Sequence, residues 1–255
     1  MSNITTCIKT LGRGICIITG ASKGFGHTLA QQVCSLLESG SVLLLVARTG
    51  TLLQKLTEEL QSSTSAQQLV VRCIEADLST EEGVKETVRA AKQEDVKDVD
   101  HVLLINNAAS LPSISHFSSF INPDEVNSYL FFNVTSALTL TAGILQAFPP
   151  RPGLRWTVVN ISSAFALQAL PSWVLYCTGK AAREMMFRVL AAEEPNVKVL
   201  SYSPGPMDTE MQEEICRLTG ACYDLLPCQE PGAKLMKLLL DNNFISGSHI
   251  DFFDA

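Results

Sequence analysis

Tyr176 and Lys180 stand four apart in the stretch "LYCTGKAAREM", and on a helix that spacing brings both polar ends over one face. A phenol ionises near ~10 in water, so it exchanges protons efficiently near neutrality only where its environment favours phenolate. A lysine one turn away supplies positive charge for that purpose. Upstream, Ser163 carries a hydroxyl that can donate to a carbonyl oxygen, and Asn133 lies in the helix expected after the fourth strand. Such a set moves a proton to or from a carbonyl oxygen. A Tyr-x-x-x-Lys pair alone is usually structural, so the rest of the chain must show a hydride donor and the elements that assemble the groups.

The donor site is signalled by "TGASKGFG", Thr19 to Gly26, directly after an apolar run. Gly20, Gly24 and Gly26 follow G-x-x-x-G-x-G, with Ala21, Ser22, Lys23 and Phe25 between them. A strand-turn-helix of this kind lets the backbone approach a pyrophosphate at a helix N-terminus. An NAD enzyme would place a carboxylate at the end of the second strand. This chain has Arg48 and Thr49 in "VARTG", and an arginine fork binds a 2′-phosphate, with Lys23 as a second cation. NADPH is therefore the expected cofactor. Asp77 and Leu78 in "EADLS", and Asn107, Ala108 and Ala109 in "NNAAS", fall at the carboxyl ends of strands, where ligands of open α/β sheets bind. Asp77 is expected to accept from the adenine amino group.

Short apolar runs that alternate with amphipathic stretches provide the scaffold. Strands are expected over Ile15–Thr19, Val42–Val46, Leu69–Ile74, His101–Asn106, Trp156–Ile161, Val197–Ser203 and Ser248–Phe252. Continuous apolar strands suit a sheet covered on both faces, so the fold class is a doubly wound parallel α/β sheet of about seven strands, one domain over residues 1–255. Helix starts are marked by Ser79 with Glu82 as a capping box, and by Asn122-Pro123-x-Glu125. Phe148–Gly153 reads as a loop, and 207–231 as an irregular segment on the substrate side.

A net charge of −7 with interspersed signs argues against nucleic acid as the main partner. No apolar run is expected to reach the ~18–20 uncharged residues that span a bilayer, and the N-terminus lacks a signal peptide, which points to a cytoplasmic protein. Cys7, Cys16, Cys34, Cys73, Cys177, Cys216, Cys222 and Cys228 include no C-x-x-C pair, so reduced, mostly buried thiols are expected and no metal site. The sequons at Asn3, Asn133 and Asn160 carry no glycosylation message without a secretory signal.

Taken together, "TGASKGFG", "NNAA", "NISS", "YCTGK" and "PGPMDT" resemble the short-chain dehydrogenase/reductase family across most of the chain. The resemblance implies a Rossmann-like NADP-dependent oxidoreductase in which Ser163, Tyr176, Lys180 and Asn133 are catalytic. Lys180 would also hold the nicotinamide ribose, and Asn133 a water in the proton relay. In "SPGPMDTEMQ", Pro204 and Gly205 would shape a turn, with Met207, Asp208, Thr209, Glu210, Met211 and Gln212 around the nicotinamide end. Further likeness in "LYCTGKAAREM" and the tail "SGSHIDFFDA" implies a pterin substrate. There Asp251 takes two parallel N–H bonds from a guanidine-like edge, beside Ser163, Ala164, Tyr176 and Gly205. Trp173, Phe165 and Leu170 are expected pocket walls, and the long helices around Asn122–Phe148 and Leu175–Glu194 an expected homodimer interface. The alternatives are a broad diketone and quinone reductase, or a non-catalytic NADP-binding sensor. Ala109 replaces the usual glycine of N-N-A-G, and the stretch after Met211 is shorter than its family counterpart.

Overall fold

The computed structural model describes residues 9–64, 68–94 and 99–254. Its strands are β1 Gly14–Thr19, β2 Val42–Ala47, β3 Val70–Glu75, β4 His101–Asn106, β5 Arg155–Ile161, β6 Val197–Ser203 and β7 Ser248–Asp251. All pair in parallel in the order β3-β2-β1-β4-β5-β6-β7, a Rossmann-like sheet.

Successive strand residues point to opposite faces, and here both faces are apolar. Cys16 and Ile18 pack with Leu43, Leu45 and Leu103 beneath Leu29, Val33, Leu56 and Leu235. These last come from α1 (Gly24–Leu36), α2 (Gly50–Thr64) and α8 (Gln229–Asp241). Ile15 and Ile17 pack on the other side with Leu44, Leu104 and Val158, beneath Val84, Leu140, Ile144 and Phe187. Those belong to α3 (Glu81–Lys92), α5 (Ser136–Ala147) and α6 (Val174–Glu193).

Asn122 caps α4 (Pro123–Leu130) as its sequence predicts, accepting from Asp124 N, with proline in the first turn. The predicted capping box at Ser79 is not formed. Ser79 N and Oγ both bond to Asp77 Oδ1, so Thr80 caps α3 instead by accepting from Gly83 N at 3.0 Å, and Glu82 turns to Arg89.

α4 runs through a π turn, Phe131–Thr135, into α5 without a break. The resulting helix, Pro123–Ala147, is long and apolar enough by length and mean hydropathy to cross a membrane, contrary to expectation. Its Asn133, Ser136 and Thr141 are buried. The thiol expectation also needs correction. Cys216, near the end of α7 (Glu210–Thr219), forms a disulfide with Cys222, because Gly220 in the left-handed region (φ +70°) turns the chain back and brings the two Cα atoms to 4.9 Å. Cys73 is exposed and Cys177 partly so, whereas Cys16, Cys34 and Cys228 are buried, all five outside a disulfide. Cys7 and Asn3 lie outside the described residues.

Candidate active site

The glycine turn follows β1 at the carboxyl edge of the sheet. Gly20 and Gly24 adopt φ of +66° and +54°, and a Cβ on Gly26 would lie 2.2 Å from Gly20 O, so only glycine lets α1 start this close to the turn. Thr19 Oγ1 accepts from Asn107 N and Ala108 N, and Asn107 Nδ2 donates back to Thr19 O and Gly20 O. These bonds staple β4 to the turn. Lys23 stands at the N-cap of α1 without a side-chain cap, and the first turn holds no acid, which leaves the leading N–H groups suited to an anion.

A cleft of about 1240 Å³ opens above this edge, lined at one end by Gly20, Ser22, Lys23, Gly24, Phe25, Arg48, Thr49 and Leu78, and at the other by Ser163, Ala164, Tyr176, Gly205 and Asp251. Asn107, Ala108, Ala109 and Lys180 lie between them, with Pro204, Met207, Thr209, Glu210, Met211 and Gln212 along one side. Five predicted site residues stand back from it. Ala21 is buried with its N–H on Val46 O, Gly26 packs against Gly20, and the Asp208 backbone pairs with Leu226 and Cys228. Asp77 is occupied by Ser79. Asn133 Oδ1 accepts from Ser110 N while its Nδ2 donates to Ser110 Oγ and Tyr129 O, anchoring a cleft-lining loop from behind. Leu170 is not among the lining residues either, whereas Phe165 and Trp173 form an aromatic wall with Tyr176, ring centroids 5.4–6.4 Å apart. Lys23 pairs across the cleft mouth with Glu210, so it is not the free second cation expected beside Arg48. Arg48 stacks over Phe132, its Cζ 5.9 Å from the ring centroid.

Ser163 ends the β5 loop, and a side-chain hydrogen bond joins it to Tyr176. Lys180 Nζ donates to Ile161 O at 2.8 Å and lies 5.7 Å from the Tyr176 ring centroid. Burial, with Arg183 nearby, pushes the Lys180 ammonium down to about 7. Burial likewise pushes the Tyr176 phenol up, against the Ser163 bond and Arg183. The protein by itself therefore holds Tyr176 protonated, where the sequence led us to expect a lowered value. Lys180 spends its hydrogen bond on the strand end and not on the phenol.

With this geometry in view, residues 14–218 match the short chain dehydrogenase family. The chain belongs to that family. It is 48% identical to sepiapterin reductase of Xenopus laevis over 96% of this chain and 97% of that one, and 47% identical to that of Meriones unguiculatus over 96% and 98%. A benzil reductase ((S)-benzoin forming) of Bacillus subtilis is 31% identical over 78% of this chain and 76% of that one. Among solved structures, a short chain dehydrogenase from Salmonella enterica superposes with a TM-score of 0.78 at 24% identity, covering 96% of this chain and 97% of that one.

Two residues of this short-chain dehydrogenase that sequence reasoning missed lie on the same helix within one turn or so of Lys180. Arg183 is 2% exposed, yet its guanidinium donates to Asn160 Oδ1 (2.8 Å), Ala108 O (3.1 Å) and Asn106 O (2.6 Å), tying together the ends of β4 and β5. Burial pushes it down to about 10, against Tyr129 and Tyr176. Glu184 accepts from Ser162 Oγ at 3.1 Å and from His249 Nδ1 at 2.9 Å. Burial works to raise its carboxyl, but the bonds from His249, Ser201 and Ser162 outweigh it and hold it below the usual range. The signal was available in the sequence: Lys180, Arg183, Glu184 and Phe187 recur at helical spacing and place polar groups on the core face of α6.

The irregular segment contains more helix than its sequence suggests. Glu213, Glu214, Ile215 and Arg217 of α7, with Tyr223 beyond it, line the cleft.

Proposed function

We propose that this protein is an NADPH-dependent carbonyl reductase that reduces the side-chain ketones of a pterin, sepiapterin or 6-pyruvoyl-tetrahydropterin, within tetrahydrobiopterin biosynthesis. The observation that carries this reading is the placement of Asp251 in the same cleft as Ser163, Tyr176 and Lys180. A carboxylate there can take two parallel N–H bonds from the pterin edge while the ketone lies at the serine and tyrosine hydroxyls. The near-full-length likeness to sepiapterin reductases supports the same assignment.

The residues present suit NADP(H). The uncapped start of α1 and the Gly20–Gly26 turn would hold the pyrophosphate, Arg48 the 2′-phosphate, and Lys180 the nicotinamide ribose. A Cβ at Gly20 would meet Ala108 Cα at 3.0 Å, so the turn and the β4 loop form a smooth floor for the dinucleotide. NADPH supplies the hydride. Ser163 donates a hydrogen bond to the ketone oxygen and stabilises the negative charge that develops there. Tyr176, held as a neutral phenol, gives its proton to that oxygen, and Lys180 compensates the phenolate left behind. Asn133 serves this set by fixing Ser110 and the loop that carries it.

We read the whole chain, 1–255, as one such unit, cytoplasmic, without nucleic acid or membrane as partner. The exposed apolar residues Leu138 on α5 and Met185 and Val189 on α6 support a homodimer built on those helices. A broad diketone reductase is the second reading, favoured by the benzil reductase likeness. Oxidation of NADPH with sepiapterin and with benzil, in wild type and Asp251→Asn, separates the two. The pterin reading requires sepiapterin turnover that Asp251→Asn weakens selectively; benzil turnover alone overturns it.

A further inference from the structure

His249 and Asp251 are two apart on β7, so their side chains leave the same face of the sheet, opposite Ser201 and Ser203 of β6. Both line the cleft, and Ile250 between them packs into the opposite core. Behind His249 lies Glu184, whose side chain is 4% exposed and whose Oε2 is 2.9 Å from Nδ1. An ionised carboxylate can only accept, so Nδ1 carries the hydrogen. That fixes the ring orientation, and in the uncharged tautomer Nε2 is then the acceptor. Among the described residues Nε2 takes no protein partner.

A guanidine-like edge offers three N–H groups, one on the ring nitrogen and two on the exocyclic amino group. A single carboxylate facing it takes the ring N–H and one amino N–H. The second amino N–H is left over, and desolvating it without a partner weakens binding.

We propose that His249 determines specificity beside Asp251: its Nε2 accepts the amino N–H that Asp251 leaves free, and Glu184 is the positioning residue that holds the imidazole in that tautomer. The inference rests on the pterin reading above. It assigns to α6 a second task, since the helix that carries Tyr176 and Lys180 toward the ketone also orients, through Glu184, a contact at the far end of the substrate. The ligand class this pair selects is an amino-substituted nitrogen heterocycle over a plain diketone.

The test compares kcat and KM for sepiapterin and benzil in His249→Phe and His249→Gln, with the Kd of sepiapterin in the NADP+-loaded enzyme read by fluorescence. His249→Phe keeps a flat ring and removes the acceptor. It should raise KM and Kd for sepiapterin about 3- to 10-fold, the net worth of one hydrogen bond, with kcat within twofold. The sepiapterin-to-benzil ratio of kcat/KM should fall by the same factor. His249→Gln returns an acceptor oxygen and should recover part of the loss. Partial unfolding scales both substrates together, so the ratio reads only the contact. An unchanged ratio overturns the proposal, as does a Gln variant no better than Phe. Wild type that reduces benzil but not sepiapterin removes the pterin reading and this proposal with it. If Asp251→Asn weakens sepiapterin binding and His249→Phe does not, this proposal alone falls.

Discussion

Arg183 Nη2 lies 2.6 Å from the carbonyl oxygen of Asn106, so a buried residue of α6 holds the strand end from which Asn107 to Ser110 enter the cleft wall. The same guanidinium reaches Asn160 of β5 and Ala108 beside the glycine turn. One side chain thus couples the helix bearing Tyr176 to both strands that face it.

Arg183→Met should accordingly destabilise the fold by about 3 kcal/mol, since it removes the guanidinium's bonds to three acceptors, two of them buried. Urea unfolding measures this. NADPH affinity should fall as well, because the β4 loop loses its anchor; a variant with wild-type stability and cofactor binding would contradict the coupling.

Tyr176→Phe should lower kcat by roughly 10²–10⁴, the usual worth of a positioned general acid, while NADPH binding stays near wild type. Single-turnover oxidation of NADPH gives the chemical step directly. Near-normal turnover would remove Tyr176 as the proton donor.

Lys180 provides a test by pH. Its amine, held at about 7 in the folded protein against 10.5 when free, makes the unfolded chain bind the extra proton between those values. Stability from this group therefore rises with pH from about 7 toward 10.5, and burial of the charged form penalises the fold below that range. In Lys180→Met this contribution disappears. The melting-temperature difference, variant minus wild type, should decline steadily across that interval; a constant difference would mean that the amine is not desolvated.

Gly26→Ala should be among the most damaging single-methyl changes in the chain. The added carbon would meet the Gly20 backbone oxygen at 2.2 Å and Asn107 Nδ2 at 2.6 Å, so α1 must shift and the phosphate turn with it. A loss of about 2 kcal/mol or more is expected, with weakened NADPH binding by titration. Gly153 has nothing within 4 Å of an added Cβ but sits at φ +85°, so its substitution tests backbone strain without crowding.

The Cys216–Cys222 disulfide should restrain the segment after α7. Closing so short a loop stabilises it by about 2 kcal/mol in the chain-entropy view. Limited proteolysis between Thr219 and Pro227 should accelerate in reductant, and Cys216→Ser should be cut equally fast with or without it.

How much of this was legible beforehand depended on distance along the chain. The sheet class and the central strands followed from apolar runs, because a parallel strand buried on both faces has to be apolar throughout, whereas the edge strands β3 and β7 carry polar residues. The glycine turn was legible as a local pattern after an apolar run, whereas the Tyr-Lys pair gained meaning only from the partners found elsewhere in the chain. Ser79 misled because Asp77, two residues earlier, competes for its hydroxyl, and such a contest is settled by backbone geometry.

Sequence by itself determined the layered α/β architecture and the glycine loop that suits a dinucleotide, since these depend on periodicity and on residue type at short spacing. Tertiary structure alone decided which polar groups meet across elements: Lys23 with Glu210, Arg183 with Asn106 and Asn160, Glu184 with His249, and Cys216 with Cys222 once Gly220 turned the chain. Such side chains become partners only once the fold brings their elements together, and no local pattern records that meeting.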